Sequence, residues 1–452
     1  MGSNSILISP ASFIHTYLSH FTKLMHIADP LREANAKMNC LFVLLFYFCA
    51  DAFAASVDVK TYSGYREYQV IGDKESLDRF EESAKRFEEL FLIKRYSATS
   101  LQTLVSPELV DFFDETVKKL NLRATLVFDD VSEIIQQEKA PSLRKKGFSW
   151  SAYYDIDDIY GYLHNMSVTY PQWTELVVGG ESYEGRQIKG LRINTPDGRA
   201  EGKPAVFIES GIHAREWITP ATTTYFINQL LTSDNPDVEA LRNQFDWHIF
   251  PSVNPDGYHF SFTKDRMWRK TRSKSSNGCY GADPNRNWDY NWLKHGANDN
   301  PCDYQVYGGS KPFSEIETRT LSKYISNVEN LLGYIAFHAD AQMLLLPYSD
   351  SEEHNDNYND LVTIGKTSLD YGYKVNHAKY DGPATAAEVL YKASGGSMDW
   401  VRFALGTQLV YTYELRGYYF YWPPALIYQQ GNEVTQMMLG LFKEAGNLGY
   451  YK

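Results

Sequence analysis

Two short apolar runs, KPAVFIES (203–210) and FDWHIFPSV (245–253), flank a longer stretch, WITPATTTYFINQLL (217–231). Runs this apolar and this short read as strands, and the stretch between them as a helix. Further strand-like and helical stretches follow: LLGYIAFHA (331–339), SMDWVRFAL (397–405) and TQLVYTYELR (407–416). The alternation predicts an α/β domain with a mainly parallel or mixed sheet, and such sheets bind ligands at the carboxyl ends of their strands. His213, Asn254, His338 and Glu414 each fall near such an end.

The segment from about Val57 to Lys139 has a different rhythm. REYQVIG (66–72), LQTLVS (101–106) and RATLVF (123–128) read as strands. SLDRFEESAKRFEELF (76–91) reads as a helix with Ser76 at its N-cap. SPELVDFFDETVKKL (106–120) reads as a second helix, with Ser106 as N-cap and Pro107 at its first position. That order suggests a small α+β, ferredoxin-like unit. QQEKAPSLRKKGFSW (136–150) interrupts the pattern. Its basic run Arg144-Lys145-Lys146 in a polar linker invites a trypsin-like protease. The expected layout is an N-terminal extension without assignment (1–37), a targeting segment (38–54), the small unit (57–139), a cleavable linker (140–146) and the large domain (147–452).

The targeting segment is MNCLFVLLFYFCADAFAAS, starting at Met38 after Lys37. About a dozen apolar residues lead to small-residue sites at Ala50/Ala52 and Ala52/Ala54. The run is too short to span a bilayer, so it reads as a secretory signal and the chain as secreted, extracellular and free of membrane. Met38 would itself begin a normal signal. Cys40 and Cys49 would leave with it, and the remaining Cys279 and Cys302 most simply form one disulfide in an oxidising compartment. The sequon at Asn165 agrees with secretion. A net charge of −12 argues against nucleic-acid binding, which needs a basic face.

His213 has Glu216 three residues on, and His338 ends an apolar run. Two histidines and a glutamate are a common catalytic zinc set, with water at the fourth position. His164, His295, His354 and His377 lie in polar surroundings and read as exposed. No G-x-S-x-G nucleophile elbow occurs, which removes a serine hydrolase of the α/β type.

At HAREW the chain from about Gly147 onward resembles the metallocarboxypeptidases of the pancreatic A/B type, and the upstream unit resembles their activation domain. The resemblance implies zinc ligands His213, Glu216 and His338 (FHADAQ), one ion per chain. It implies that Arg215 binds substrate and that Arg269 (RMWRKTRS) polarises the scissile carbonyl. Asn285 and Arg286 (DPNRNWD) would grip the terminal carboxylate. Tyr391 (LYKASGGSMDW) would be a mobile phenol closing over the bound end, and Glu414 (YTYELRG) the catalytic carboxylate. Cys279 and Cys302 stand where the family has its disulfide. The upstream unit would inhibit until the linker is cut.

Physical logic runs beside the resemblance. A guanidinium recognises a free carboxylate with a two-pronged donor set. Zinc lowers the pKa of bound water toward about 7. A carboxylate can take that proton and pass it to the leaving amine. In the family, an Asp just before the Asp of SGGSxDW favours terminal Lys or Arg. Met398 stands there, and a cation buried against a thioether is unfavourable. An A-type preference for apolar or aromatic terminal residues is therefore expected, with Ala386 and Leu390 on the pocket walls, Ser349 giving polar tolerance and Glu388 pointing elsewhere. One departure follows the third ligand: the family usually reads His-Ser-Tyr, and this chain reads His338-Ala339-Asp340. An Asp there could bind a basic residue upstream of the cleaved bond, perturb the metal, or turn outward. The expected partners are a peptide or protein with a free C-terminus and the activating protease, and the chain is expected to act as a monomer. Competing readings are a catalytically inactive, peptide-binding relative and a carboxypeptidase of basic, B-type preference.

Overall fold

The structure is a computed structural model that describes residues 59–87, 90–143, 147–194 and 202–452. The signal-like segment, Cys40, Cys49 and the run Arg144–Lys146 lie outside those residues. Residues 59–452 form one compact unit.

Its first part is a four-stranded antiparallel sheet. The strands are β1 (Arg66–Ile71), β2 (Phe91–Ser97), β3 (Ser100–Val105) and β4 (Arg123–Phe128), in the order β2-β3-β1-β4. Helices Lys74–Ala84 and Val110–Lys119 complete the βαββαβ order. The first helix starts earlier than expected, because Asp73, not Ser76, is the N-cap: its side chain accepts from the Ser76 backbone N–H at 2.9 Å. It also stops earlier, at Ala84, and Phe91 opens a strand that the helical spacing had hidden. Period-2 burial gives these strands two faces. Phe91, Leu101 and Val105 pack with Phe80 and Phe113 in the unit's own core. Leu92 and Leu104 pack instead with Ala214, Met267, Trp268, Tyr419 and Phe420 of the large domain.

The linker also differs from expectation. A helix runs Val131–Leu143, through the stretch read as an interruption. Tertiary contacts hold it. Glu138 and Arg266 form a buried pair at 2.6 and 2.9 Å, and Lys139 Nζ donates to the Phe262 carbonyl at 2.8 Å.

The large domain holds an eight-stranded mixed sheet. Its strands are β5 (Thr174–Glu181), β6 (Gln187–Ile193), β7 (Ala205–Ser210), β8 (Asp246–Phe250), β9 (Leu331–Ala339), β10 (Met343–Leu346), β11 (Asp381–Thr385) and β12 (Leu409–Leu415). They run in the order β11-β10-β12-β9-β7-β8-β6-β5. The centre, β12-β9-β7-β8, is parallel. Every residue of β7 and β8 is buried, as the continuous apolar runs require. Val206 and Ile208 face one core with helices Ile218–Thr232 and Ile427–Asn447. Phe207 faces the other with Tyr334, Ala336, Met398 and Val401. Each such side chain contributes roughly 1.5–3 kcal/mol by leaving water. His338 continues the alternation of Tyr334 and Ala336, which sets it on this second face.

Candidate active site

His213 follows β7, and His338 sits one residue before the end of β9. The parallel register pairs Glu414 of β12 directly with His338. A short turn then brings Glu216 back to His213, with Glu216 N–H donating to the His213 carbonyl at 3.2 Å. The two histidine Nδ1 atoms lie 3.2 Å apart. Glu216 Oε1 is 2.8 Å from His213 Nδ1, and Oε2 is 3.5 Å from His338 Nδ1. All three residues are buried, and one ligand atom from each falls within 4.8 Å of the others.

The tautomer of His213 follows from its other nitrogen. Nε2 lies 3.2 Å from Asp283 Oδ1, and a carboxylate only accepts, so with a metal ion on Nδ1 the proton sits on Nε2. Burial, with Arg269 adding to it, pushes the His213 imidazole down toward its neutral form. Nδ1 faces Glu216 Oε1 at 2.8 Å, a spacing that suits either a shared proton or two ligands of one metal ion. Burial opposes the charge of Glu216, but His213 and His338 hold its carboxyl well below the ordinary range. Two imidazole nitrogens and an ionised carboxylate are a donor set that fits zinc.

Around this triad lies a cavity of about 400 Å³. Arg269 enters it with Nη1 4.0 Å from Glu216 Oε1, fixed by Nη2 to Asp283 Oδ2 at 2.7 Å. Arg286 donates to the carbonyls of Gly296 and Asn285 at 2.9 and 2.8 Å. Asn285 Oδ1 accepts from the Ser397 N–H at 3.0 Å. Arg215 Nη2 donates to Gln305 Oε1 at 2.8 Å. Tyr391 is 43% exposed, with its ring 6.0 Å from the Arg286 guanidinium. Glu414 lines the cavity, and burial pushes its carboxyl up, opposed by His338.

A family model for zinc carboxypeptidases matches residues 159–437. The chain belongs to the zinc carboxypeptidase family. It is 36% identical over 408 residues to zinc carboxypeptidase A 1 of Anopheles gambiae, covering 88% of this chain and 93% of that protein. It is 37% identical over 293 residues to carboxypeptidase B of Astacus astacus, covering 64% of this chain and 95% of that protein. The crystal structure of carboxypeptidase A from Helicoverpa armigera superposes with a TM-score of 0.77 at 27% identity, over 87% of this chain and all of that one. A zinc carboxypeptidase is a hydrolase with a zinc cofactor, and the His213–Glu216–His338 cluster is the group among the described residues able to hold the ion.

The residues expected of a zinc carboxypeptidase all border one cavity: His213, Arg215, Glu216, Arg269, Asn285, Arg286, His338, Tyr391, Met398 and Glu414. Ser349, Ala386 and Leu390 border it too. Glu388 does not. It closes a capping box with Thr385 and faces His354 at 3.0 Å. His164, His295 and His377 are exposed, as is His354. Cys279 and Cys302 are joined in a disulfide.

Two residues at the zinc carboxypeptidase site, Asp283 and Phe420, escaped the sequence reading, and Asn254 was placed near a strand end without a role. Asp283 orients His213, Arg269 and the Asn285 N–H at once. Arg269, His213 and Arg286 hold its carboxyl well below the usual range despite burial. Asn254 Nδ2 ties the carbonyls of Ile212 and Lys270, pinning the loop that bears His213 to the one that bears Arg269. Phe420 forms a wall beside Arg215, whose guanidinium lies 4.1 Å over its ring. Asp-Pro in DPNRNWD signals a helix-start cap, but nothing local says that the same carboxylate reaches His213.

Proposed function

We propose that the chain is the secreted precursor of an A-type zinc carboxypeptidase, which releases apolar or aromatic residues from peptide C-termini after its N-terminal unit is cut away. One observation carries the reading. The same cavity is bordered by the metal-binding triad, by an uncharged pocket floor at Met398, and by residues of 81–95 from the N-terminal unit.

Each residue then has a part. Arg286, with the Asn285 amide, receives the terminal carboxylate, and Tyr391 closes over it. The last side chain enters the pocket over Met398, where the Sδ atom accepts from the Thr412 hydroxyl at 3.2 Å. Asp399, the nearest acid in sequence, is buried, accepts from the Ser349 N–H at 2.8 Å and does not border the cavity, so it offers no counter-ion there. Bound zinc supplies Lewis acidity and an acidified water. Glu414 takes the proton of the attacking water and passes it to the leaving amine. Arg269 faces the negative charge that develops on the scissile carbonyl oxygen.

The N-terminal unit blocks this cavity until a trypsin-like protease cuts at Arg144-Lys145-Lys146. The signal-like segment and the disulfide support secretion. The cavity is complete within one chain, which supports a monomer.

The test uses the secreted chain before and after trypsin, on blocked dipeptides ending in Phe, Leu or Arg, with chelator and added zinc as controls. Release of Phe and Leu that needs trypsin and stops with chelator is expected. Preferential release of Arg would establish B-type preference instead. No release with zinc bound would make the chain an inactive peptide-binding relative.

A further inference from the structure

Asp340 stands two residues after His338, at the end of β9, and its side chain is buried. Among the described residues, its side-chain hydrogen-bond partners both come from the N-terminal unit. Lys94 of β2 donates through Nζ to the Asp340 carboxylate and to its backbone carbonyl. The Tyr96 hydroxyl reaches the two carboxylate oxygens at 3.3 and 3.4 Å. The Lys94 ammonium also lies 4.5 Å over the ring of Phe420. An aromatic face and a carboxylate together bind a cation from two sides. Arg215, on the same ring, is directed to Gln305 and the Met267 carbonyl, which leaves the carboxylate to Lys94. Gly417 makes the room: a Cβ there would fall 2.5 Å from that of Asp340.

Lys94 and Phe420 border the catalytic cavity together with Glu414 and His338. When the N-terminal unit leaves, Lys94 and Tyr96 leave with it. Asp340 and Phe420, which Lys94 had bridged, then face the vacated place without the cation, and a buried carboxylate left unpaired is costly. The pocket over Met398 takes the terminal side chain, so the residues before the scissile bond run along the remaining walls.

We infer that Asp340 and Phe420 form a subsite for a Lys or Arg side chain one or two residues upstream of the scissile bond, and that Lys94 occupies this subsite in the intact chain. The inference rests on the carboxypeptidase reading above and names a substrate class for it: peptides with a basic residue just before an apolar terminus.

The experiment uses the full chain, activated with trypsin that is then inactivated with a sulfonyl fluoride, because residual trypsin would itself cut after Lys. Release of Phe is compared for acetyl-Ala-Ala-Phe, acetyl-Ala-Lys-Phe, acetyl-Lys-Ala-Phe and acetyl-Ala-Glu-Phe, each with and without chelator. One of the Lys peptides should exceed the Ala peptide in kcat/KM by about tenfold, the effect of one charge-assisted contact. The Glu peptide should fall below it. In Asp340→Asn the Lys-to-Ala ratio should collapse toward one. Equal efficiency for the Ala, Lys and Glu peptides, or a Lys preference that survives Asp340→Asn, overturns the subsite and leaves the carboxypeptidase reading standing. If Asp340→Asn does not fold, the Lys-to-Glu ratio of the unsubstituted enzyme decides alone. Absence of chelator-sensitive Phe release from every peptide removes the carboxypeptidase reading and the subsite with it.

Discussion

Asp283 has four partners and no spare one: His213 Nε2, Arg269, the Asn285 N–H and, at 4.0 Å, Arg286. It joins the metal-binding triad, through His213, to the residues proposed to hold substrate. Asp283→Asn keeps the size but removes the charge and offers His213 an amide that can flip. Zinc affinity should fall about 10- to 100-fold, the usual cost of losing a carboxylate behind a histidine ligand. Competition with a metal-binding dye would measure it. Unchanged affinity would mean that the triad is self-sufficient. The sequence revealed the ligand-type residues because His, Glu and Arg are conspicuous at strand ends. Asp283 was hidden because its importance lies in a contact 70 residues away.

At the scale of elements, β1 and β2 of the N-terminal unit carry charges into the large domain. Glu67 of β1 is buried, and burial pushes its carboxyl up to about 8, with Asp340 adding to the shift. The packed state therefore binds this proton more tightly than a free chain, whose carboxyl has an ordinary value of 4.5. The contribution is full below about 4.5, declines as pH rises toward 8, and is gone above it. Glu67→Gln cannot ionise and should escape that decline. Its melting temperature relative to the unsubstituted chain should rise between pH 5.5 and 8.5, and a difference that stays constant with pH would contradict this. The helical spacing of 76–91 concealed β2, because no Gly or Pro stands between Ala84 and Phe91 to mark the junction. Only the pairing of Phe91–Ser97 with β3 fixes the boundary.

For the whole molecule, the site is assembled from distant pieces. Residues 213–216, 269–286, 338 and 414 meet only because the central parallel strands hold their carboxyl ends together. The Cys279–Cys302 disulfide, 23 residues apart, encloses Asp283, Asn285 and Arg286. A cross-link of that span restricts the unfolded chain by about 3 kcal/mol. Replacing both cysteines with serine should lower the melting temperature. After activation it should also raise KM more than it lowers kcat, because the loop proposed to grip the terminal carboxylate loosens while Glu414 stays on its strand. Steady-state kinetics and calorimetry on the same preparation would decide, and an unchanged KM would show that the hydrogen bonds hold the loop unaided.

Sequence alone determined the elements whose signal is local. Continuous apolar runs marked the buried central strands, and HAREW with FHADAQ marked the triad, because metal ligands must be particular residue types. The resemblance pointed to Met398 as the proposed pocket floor, and the residue borders the cavity. The tertiary structure decided what depends on partners far away in the chain. The helix of Val131–Leu143 persists because Glu138 pairs with Arg266. Asp283 counts because it meets His213. Asp340, open in the sequence, is paired in the fold with Lys94, which lies 246 residues earlier: a buried carboxylate takes its meaning from the charge that faces it, and only the fold says which charge that is.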